Sequence, residues 1–150
     1  MTEDVQTLFS ELFEASAAGR RAGEEIAGVV GQTQARWQTL WTIGDASLTV
    51  PQIGRRLGVS RQAVQRLVNE LANEALVELV DNPDHKTSPL VSLTRKGRTA
   101  LDRINRAGEA FNEALLTEFG AEHIARLRTL LREFVSVVNS VPALGTATDG

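Results

Sequence analysis

The chain has 150 residues, enough for one domain with a substantial core, and its 42% hydrophobic and 23% charged residues are typical of a soluble globular protein. The absence of cysteine excludes disulfides, thiol redox switches and thiolate metal sites, and the two histidines lie far apart, so we expect no metal and no other cofactor. No apolar run reaches membrane-spanning length and the amino terminus is acidic, unlike a signal peptide, so we expect a cytoplasmic protein without a membrane partner.

The net charge of −3 is unevenly distributed along the chain. Residues 1–48 carry three basic residues against seven acidic ones, for a net −4, and residues 99–150 carry five against seven, for −2. Residues 49–98 carry eight against five, for +3. Because phosphate binding requires positive charge, nucleic acid is a candidate partner of the central segment, although the excess is too small to identify one by itself.

The first predicted helix spans about residues 4–31, with a bend near Gly19 or Gly23. Its apolar residues recur at helical spacing, and they include Val5, Leu8, Phe9, Leu12 and Phe13. This apolar face is larger than a single small domain needs, which favours a helix–helix interface with another chain.

A second helix is predicted from Thr33, a good N-cap, to about Ile43, and a short strand follows at residues 46–49. The helix carries Trp37 and Trp41. We interpret both tryptophans first as core residues. The alternative is that they border an apolar ligand pocket, next to small residues of the first helix that either leave room for a ligand or let helices approach closely.

Residues 49–71 have the pattern of a helix-turn-helix. Thr49 and Gln52 form a capping box at the start of a short helix, and Gly58 supplies the left-handed residue that ends it. Ser60 caps a second helix with one apolar face and an outer face made of Arg61, Gln62, Gln65, Arg66 and Asn69. On this stretch alone, an ordinary helical hairpin with a solvated outer face is the alternative.

The segment that follows removes much of that ambiguity. Residues 76–80 and 90–93 are strand-like and are joined by a polar loop rich in turn formers, which predicts a β-hairpin. A hairpin directly after a helix-turn-helix is a wing. Beyond it, Thr94 caps a long amphipathic helix predicted from about residue 95 to 118, and a last helix is predicted at 121–140.

The sequence therefore predicts a mainly α fold with a small β-wing in a single domain, 1–150. A winged helix-turn-helix at about 33–98 is flanked by long N- and C-terminal dimerisation helices, at about 4–31 and 95–140, and residues 143–150 form a flexible tail. The long outer helices have enough apolar surface to pair with a second copy, which gives a two-fold dimer with two reading heads.

Several motifs, in order and spacing, resemble the signature of MarR-type bacterial transcription regulators over nearly the whole chain. They are residues 58–64, Leu71, Leu76-Val77, Asn82-Pro83-Asp84 and, as the most specific part, Leu93-Thr94-Arg95-Lys96-Gly97. The resemblance implies a homodimer that binds a palindromic operator in double-stranded DNA, usually as a repressor. It also implies, for many members, release of DNA when a small aromatic ligand binds between the dimerisation and DNA-binding regions.

Three positions depart from the family pattern. Ala75 stands where the family usually has glycine, so we expect Asn73 to take the left-handed conformation instead. Glu78-Leu79 occupies a stretch where the family often has an arginine. The wing carries His85-Lys86 in place of two arginines, and because lysine is more strongly hydrated and lacks the planar fork of arginine, we expect this wing to read DNA less selectively.

The candidate DNA contacts follow from side-chain chemistry. Arginine can bond guanine bidentately and glutamine can do the same with adenine, so the outer residues of the second helix are candidates for base reading: Arg61, Gln62, Gln65 and Arg66. The hydroxyls of Ser60 and Thr49, each at a helix start, are candidates to donate to phosphate, and the secondary phosphate candidates are Gln34, Arg36 and Arg55. His85 and Lys86 are the candidates on the wing, and Trp37 and Trp41 are the ligand candidates.

An enzyme is not expected, because no Ser/His/Asp set, glycine-rich phosphate loop or paired-carboxylate motif stands out. The serious alternative is a winged-helix dimer that serves as a protein–protein interaction module and has no operator of its own. Salt dependence distinguishes the two, because a DNA binder loses affinity steeply as salt is added.

Overall fold

The computed structural model describes residues 1–142, which form a mainly helical fold with one small sheet. Within that range the helices are α1 (Thr2–Val29), α2 (Gln34–Ile43), α3 (Val50–Leu57), α4 (Arg61–Asn73), α5 (Arg95–Ala107), α6 (Glu109–Phe119) and α7 (Ala121–Ser140), and the strands are β1 (Leu48–Thr49), β2 (Val77–Val80) and β3 (Leu90–Leu93). The predicted fold class is confirmed. The predicted tail at 143–150 lies outside the described residues.

The chain divides into two compact units, one from Met1 to Gly108 and one that begins at Glu109. The first unit holds the winged helix together with α1, α2 and α5. The second holds α6 and α7, which contact each other.

Side-chain caps set the starts of the helices around the winged helix. The caps expected at Thr33, Thr49, Ser60 and Thr94 are all present, and each accepts a hydrogen bond from the backbone N–H of the third residue of its helix. At the start of α3 the capping box is complete, because Gln52 Oε1 accepts a hydrogen bond from the Thr49 N–H at 2.8 Å. Gly58 ends α3 in the left-handed region, with φ of 66°. These local signals are the reason the helix-turn-helix was readable from the sequence.

The sheet is antiparallel, with strand order β1-β3-β2, and it joins the wing to the body of the unit. Leu79 pairs with Val91 across the hairpin, and Leu48 pairs with Val91 on the other side. The core beneath it draws on every element of the first unit: Ala27, Leu40, Ile43, Leu48, Ile53, Val64, Val68, Leu71, Leu76, Val77, Val91, Leu101 and Ile104. On the inner face of α4, Val64, Val68 and Leu71 are thus fully buried, which leaves the polar face of the helix to solvent.

The long helix predicted at 95–118 is wrong in one respect, because α5 ends at Ala107 and a separate helix starts at Glu109, although Gly108 between them keeps right-handed backbone angles, with φ of −86° and ψ of −8°. Glycine is a poor helix former, and the N–H of Gly108 is shared between the carbonyls of Ile104 and Asn105, both at 3.1 Å. By contrast, α1 continues through Gly19 and Gly23 as a single helix.

The left-handed residue after α4 is Ala75 itself, with φ of 58°, and the expectation that Asn73 would replace it is wrong. The hydrogen bonds explain the position. The N–H of Leu76 bonds the carbonyl of Leu71 and the N–H of Ala75 bonds that of Ala72, both at 2.9 Å, which is the Schellman pattern. In that pattern the left-handed residue directly precedes the residue that donates the longer-range bond. Here the donor is Leu76, so the left-handed residue is Ala75, whereas Asn73 is still part of the helix.

Ala75→Gly is therefore expected to stabilise the protein by about 0.5–1 kcal/mol, since the strain of a left-handed alanine exceeds the greater entropy loss of glycine. Urea unfolding followed by circular dichroism measures the change. Ala72→Gly, inside helical α4, is the matched control and should destabilise by about 1 kcal/mol. Equal destabilisation by both variants would contradict the conformational argument.

Candidate nucleic-acid interface

The outer face of α4 carries the predicted base-reading residues into solvent. Arg61, Gln62, Gln65 and Arg66 are all exposed. Two of these side chains make bonds along the helix: Gln65 Nε2 donates to Asn69 Oδ1 at 2.9 Å, and Arg66 Nε lies 3.2 Å from Glu70 Oε1. Such exposed pairs one helical turn apart contribute only a few tenths of a kcal/mol, about 0.2–0.5, so they yield readily to a ligand.

A groove of about 310 Å³ lies between α4 and the wing. Arg61, Gln62 and Gln65 line it from the helix, and Thr87 and Ser88 line it from the wing loop. Its remaining lining is apolar and consists of Val50, Pro51, Leu79 and Pro89. The structure thus gathers three predicted base contacts along one edge of a single concave surface.

A second groove separates α3 from the wing loop, with a volume of about 550 Å³. It brings together Thr49 and Arg55 of the α3 region with His85 of the wing, three residues predicted to contact DNA. The loop is held by its own hydrogen bonds, because Asn82 Nδ2 donates to the carbonyl of Ser88 and Asn82 Oδ1 accepts the N–H of Asp84, both at 3.0 Å. Lys86 lines a neighbouring groove formed by the wing loop alone.

Arg36 does not belong to this surface. Its guanidinium makes a bidentate ion pair with Glu74, with Nη1 to Oε1 at 2.7 Å and Nη2 to Oε2 at 2.6 Å, and its side chain is only 15% exposed. The hydrogen bond from Arg36 lowers the pKa of Glu74, so the pair stays charged throughout the neutral range. In this structure the Arg36 guanidinium is thus held by Glu74, and its predicted phosphate contact stays a prediction.

Gln34 also lies away from the grooves beside the wing. Its backbone N–H donates to Glu24 Oε2 at 3.0 Å, which ties α2 to α1. Its side chain lines a crevice of about 400 Å³ among α1, α2, α3 and α4, and the same crevice holds Arg20 and Arg56. Its predicted DNA contact stays a prediction, and the grooves beside the wing lend it no support.

The two tryptophans differ in environment. Trp37 Nε1 donates to Asn105 Oδ1 at 3.0 Å, and the ring packs against the core of the first unit, as the core interpretation predicts. Trp41 is 61% exposed. Neither residue lines the crevice or the grooves beside the wing, so these pockets lend no support to the predicted ligand contacts.

The sequence identified Thr94, Lys96 and Gly97 as part of the family motif but did not reveal that they hold the carboxyl end of α4. Thr94 Oγ1 donates to the carbonyl of Ala75 at 2.6 Å, and Lys96 Nζ donates to that of Glu74 at 2.8 Å. Gly97 lies so close to Leu76 that a Cβ there would overlap the Leu76 carbonyl oxygen. The Leu-Thr-x-x-Gly motif was the available signal. Its physical role is to fasten the start of α5 to the end of α4.

In residues 1–142, no three or more His, Cys, Asp or Glu side chains are grouped so as to hold a metal ion. None of the helices in this range is both long and apolar enough to cross a membrane.

A family model described as MarR family matches residues 31–86. An uncharacterised protein of Mycobacterium tuberculosis strain H37Rv is 42% identical over 135 residues, which cover 90% of this chain and 94% of that protein, and a Mycobacterium bovis protein matches to the same extent. The chain belongs to the MarR family. Members of this family are DNA-binding transcription regulators and not enzymes, so the class predicted from the sequence is confirmed.

Solved structures agree with this assignment. A MarR family transcription regulator is 26% identical, with a TM-score of 0.65, and the match covers 94% of this chain and 99% of that one. The reduced form of MarR from E. coli is 25% identical, with a TM-score of 0.65 and coverage of 83% and 94%. A mutant MarR from E. coli complexed with operator DNA is 22% identical, with a TM-score of 0.72 and coverage of 87% and 95%, and it shares the fold.

Proposed function

We propose that this MarR-family protein is a homodimer that binds a palindromic operator in double-stranded DNA and represses transcription by occupying it. The observation that carries the proposal is the convergence of Arg61, Gln62 and Gln65 along the groove between α4 and the wing. Arginine and glutamine are the side chains that pair bidentately with guanine and adenine in the major groove. An exposed helix with these groups fits that groove in width and chemistry.

The remaining contacts divide by role. Arg66 extends the base-reading face of α4. Thr49 and Ser60 hold phosphates at the two helix starts, where backbone N–H groups and the helix dipole favour anions, and Arg55, in the last turn of α3, adds a positive charge for phosphate contact. His85 and Lys86 place the wing on the flanking backbone, with less sequence discrimination than a wing arginine in the minor groove.

Two-fold pairing is supported by apolar surface in both compact units. On α1, Val5, Leu8 and Phe13 are exposed. On α7, the exposed apolar residues are Leu127, Leu130, Leu131, Val135, Val137 and Val138. Surface of this kind is costly in water and is typical of a subunit interface. A two-fold dimer presents two α4 helices, and the matching DNA site is a palindrome.

The test is selection of bound duplexes from a randomised library with the full chain, followed by a salt titration on the recovered site. A palindromic site whose affinity falls steeply with salt is the expected result, because each neutralised phosphate releases counterions. Binding that is weak and equal for recovered and scrambled duplexes would overturn the proposal. That outcome would favour the protein–protein interaction module, for which the His85-Lys86 wing is the supporting departure.

Base and phosphate contacts are expected to respond differently to substitution. Gln65→Ala should alter the preferred base at one position of each half-site and cost about 1–3 kcal/mol on the wild-type site. Lys86→Ala should lower the affinity for recovered and scrambled duplexes alike. It should also reduce the salt slope by the amount expected for the loss of about one phosphate contact per wing. Competition binding at several salt concentrations measures both. Identical profiles for the two variants would contradict the assigned roles.

Release by a small aromatic ligand is the second part of the proposal, and the crevice among α1, α2, α3 and α4 supports it. Arg20 and Arg56 line that crevice together with apolar residues that include Leu57, Val64 and Leu67. Guanidinium groups beside an apolar lining suit an aromatic carboxylate. Because Val64 is on the inner face of α4, a ligand here acts directly on the recognition helix.

A panel of aromatic acids, with aromatic amines of the same ring size as controls, tests this part. The acids should displace the protein from the recovered duplex, and Arg20→Met should remove that response while DNA affinity is retained. Displacement that is equal for acids and amines, or unchanged in Arg20→Met, would count against the crevice.

A further inference from the structure

The recognition helix α4 is fastened at its carboxyl end, far from the residues proposed to read bases. We propose that the Arg36–Glu74 ion pair is a positioning device for sequence-specific DNA binding, which fixes the tilt of α4 relative to α2. The proposal rests on the proposed DNA-binding function. It assigns neither residue a contact with DNA.

Helix geometry explains why a distant clamp matters. α4 has 13 residues, so it is about 20 Å long at 1.5 Å per residue. A tilt of about 10° about its carboxyl end moves its amino end by about 3 Å. The base contacts proposed for Arg61 and Gln62 are hydrogen bonds, which weaken when the donor–acceptor distance grows by a few tenths of an ångström. Phosphate contacts, by contrast, are made by long flexible side chains that can adjust to a displacement of the helix. A loosened α4 therefore loses specific binding before it loses non-specific binding.

The pair has the geometry of a clamp. Two short parallel bonds between a planar guanidinium and a carboxylate fix direction as well as distance, which a single lysine contact does not. The Arg36 end is rigid, because α2 is capped by Thr33, buried through Leu40 and Ile43, and bonded to α5 through Trp37.

The place of Glu74 in the sequence supports a role beyond helix stability. An acidic residue at a helix carboxyl terminus is unfavourable to the helix dipole, and the last turn of α4 contains no basic residue to offset it. Arg36, 38 residues away in the chain, pairs with the Glu74 carboxylate, and Lys96 adds a second positive charge at the Glu74 carbonyl. Glu74 is thus better suited to the contact with α2 than to ending α4.

The backbone around Glu74 extends the clamp to α5. The carbonyl of Glu74 accepts Lys96 Nζ at 2.8 Å, that of Ala75 accepts Thr94 Oγ1 at 2.6 Å, and that of Leu76 accepts the Thr94 N–H at 3.1 Å. Among the side-chain hydrogen bonds and ion pairs of the described residues, the Arg36–Glu74 pair is the one that joins α2 to the carboxyl end of α4. Removing it takes away one constraint on the tilt of α4 without opening the core.

The experiment measures dissociation constants for the duplex recovered by library selection and for its scrambled counterpart, with the full chain. Arg36→Met and Glu74→Gln should each lower the affinity for the recovered duplex by about tenfold or more. The affinity for the scrambled duplex and the salt slope should stay unchanged. Arg36→Lys should restore only part of the loss, because it cannot form two parallel bonds. The exchange Arg36→Glu/Glu74→Arg should recover more specificity than either single charge reversal.

Asp45→Asn is the matched control. It removes another ion pair, Asp45–Arg98, at 2.7 Å, that joins α5 to the end of α2 without touching α4, so specific affinity should be unchanged. Thermal unfolding of each variant confirms that binding is measured on folded protein.

Three results would overturn the proposal. An equal loss of affinity for both duplexes would mean that the ion pair serves only to stabilise the fold. A salt slope reduced by about one in Arg36→Met would show that Arg36 contacts a phosphate. Unchanged discrimination in both single variants would remove the positioning role. If the wild-type protein itself fails to discriminate between the duplexes, the proposed function fails, and this inference fails with it.

Discussion

Gly97→Ala is expected to destabilise the protein by roughly 3 kcal/mol or more, one of the largest effects available to a single methyl group. An added Cβ would overlap the carbonyl oxygen of Leu76 and lie 2.9 Å from its carbonyl carbon. Neither side can yield easily. The Leu76 carbonyl accepts the N–H of Thr94 at 3.1 Å, and Thr94 Oγ1 holds the adjacent carbonyl of Ala75. The methyl group must therefore separate α5 from the end of α4 or break these bonds.

Gly19→Ala is the matched control for this prediction. Gly19 lies within α1 with nothing within 4 Å of an added Cβ, so alanine there should stabilise by about 0.5–1 kcal/mol through helix propensity. Urea unfolding gives both free energies. If Gly97→Ala unfolded at the same midpoint as the wild type, the close approach between α5 and Leu76 would be refuted.

The elements that sequence reasoning placed well are those with local determinants. Thr49 with Gln52, Ser60 and Thr94 are caps whose partners lie three residues away, so a short window of sequence contains the whole interaction. The break at Gly108 was missed because the apolar period continues across it, and Ala75 was misread because the left-handed position depends on which carbonyls the last N–H groups select.

In the candidate site, too, the features that could be predicted are those with local determinants in the sequence. Arg61, Gln62 and Gln65 follow from helical periodicity, since residues opposite a buried face must point outward. The ion pair of Arg36 was not predictable, because a basic residue near a helix start has the same local sequence pattern whether it faces DNA or a carboxylate. Its partner Glu74 lies 38 positions away, beyond any periodicity, and only the fold brings the two together.

Leu130→Glu is expected to convert the proposed dimer to monomers and to reduce operator affinity by about 10²–10⁴-fold. Leu130 is 52% exposed on α7, amid the other exposed apolar residues of that helix. In a two-fold interface each substitution occurs twice, so two uncompensated carboxylates would be buried for every dimer formed. Sedimentation at several protein concentrations measures the association. Affinities for the recovered palindrome and for a single half-site together measure how much affinity the dimer gains by binding both half-sites at once.

The adjacent substitution Thr129→Glu provides the control, because it introduces the same charge on the polar face of α7, where Thr129 Oγ1 bonds only the Ala125 carbonyl of its own helix. Thr129→Glu should remain dimeric and bind the palindrome as the wild type does. If Leu130→Glu also stays dimeric, α7 is not the pairing surface, and the candidates become α1 and α6, which carries the exposed residues Phe111, Leu115 and Leu116. If instead Leu130→Glu is monomeric and still binds the palindrome with wild-type affinity, the two-headed reading of the operator is wrong, because joined half-sites are the source of the expected affinity.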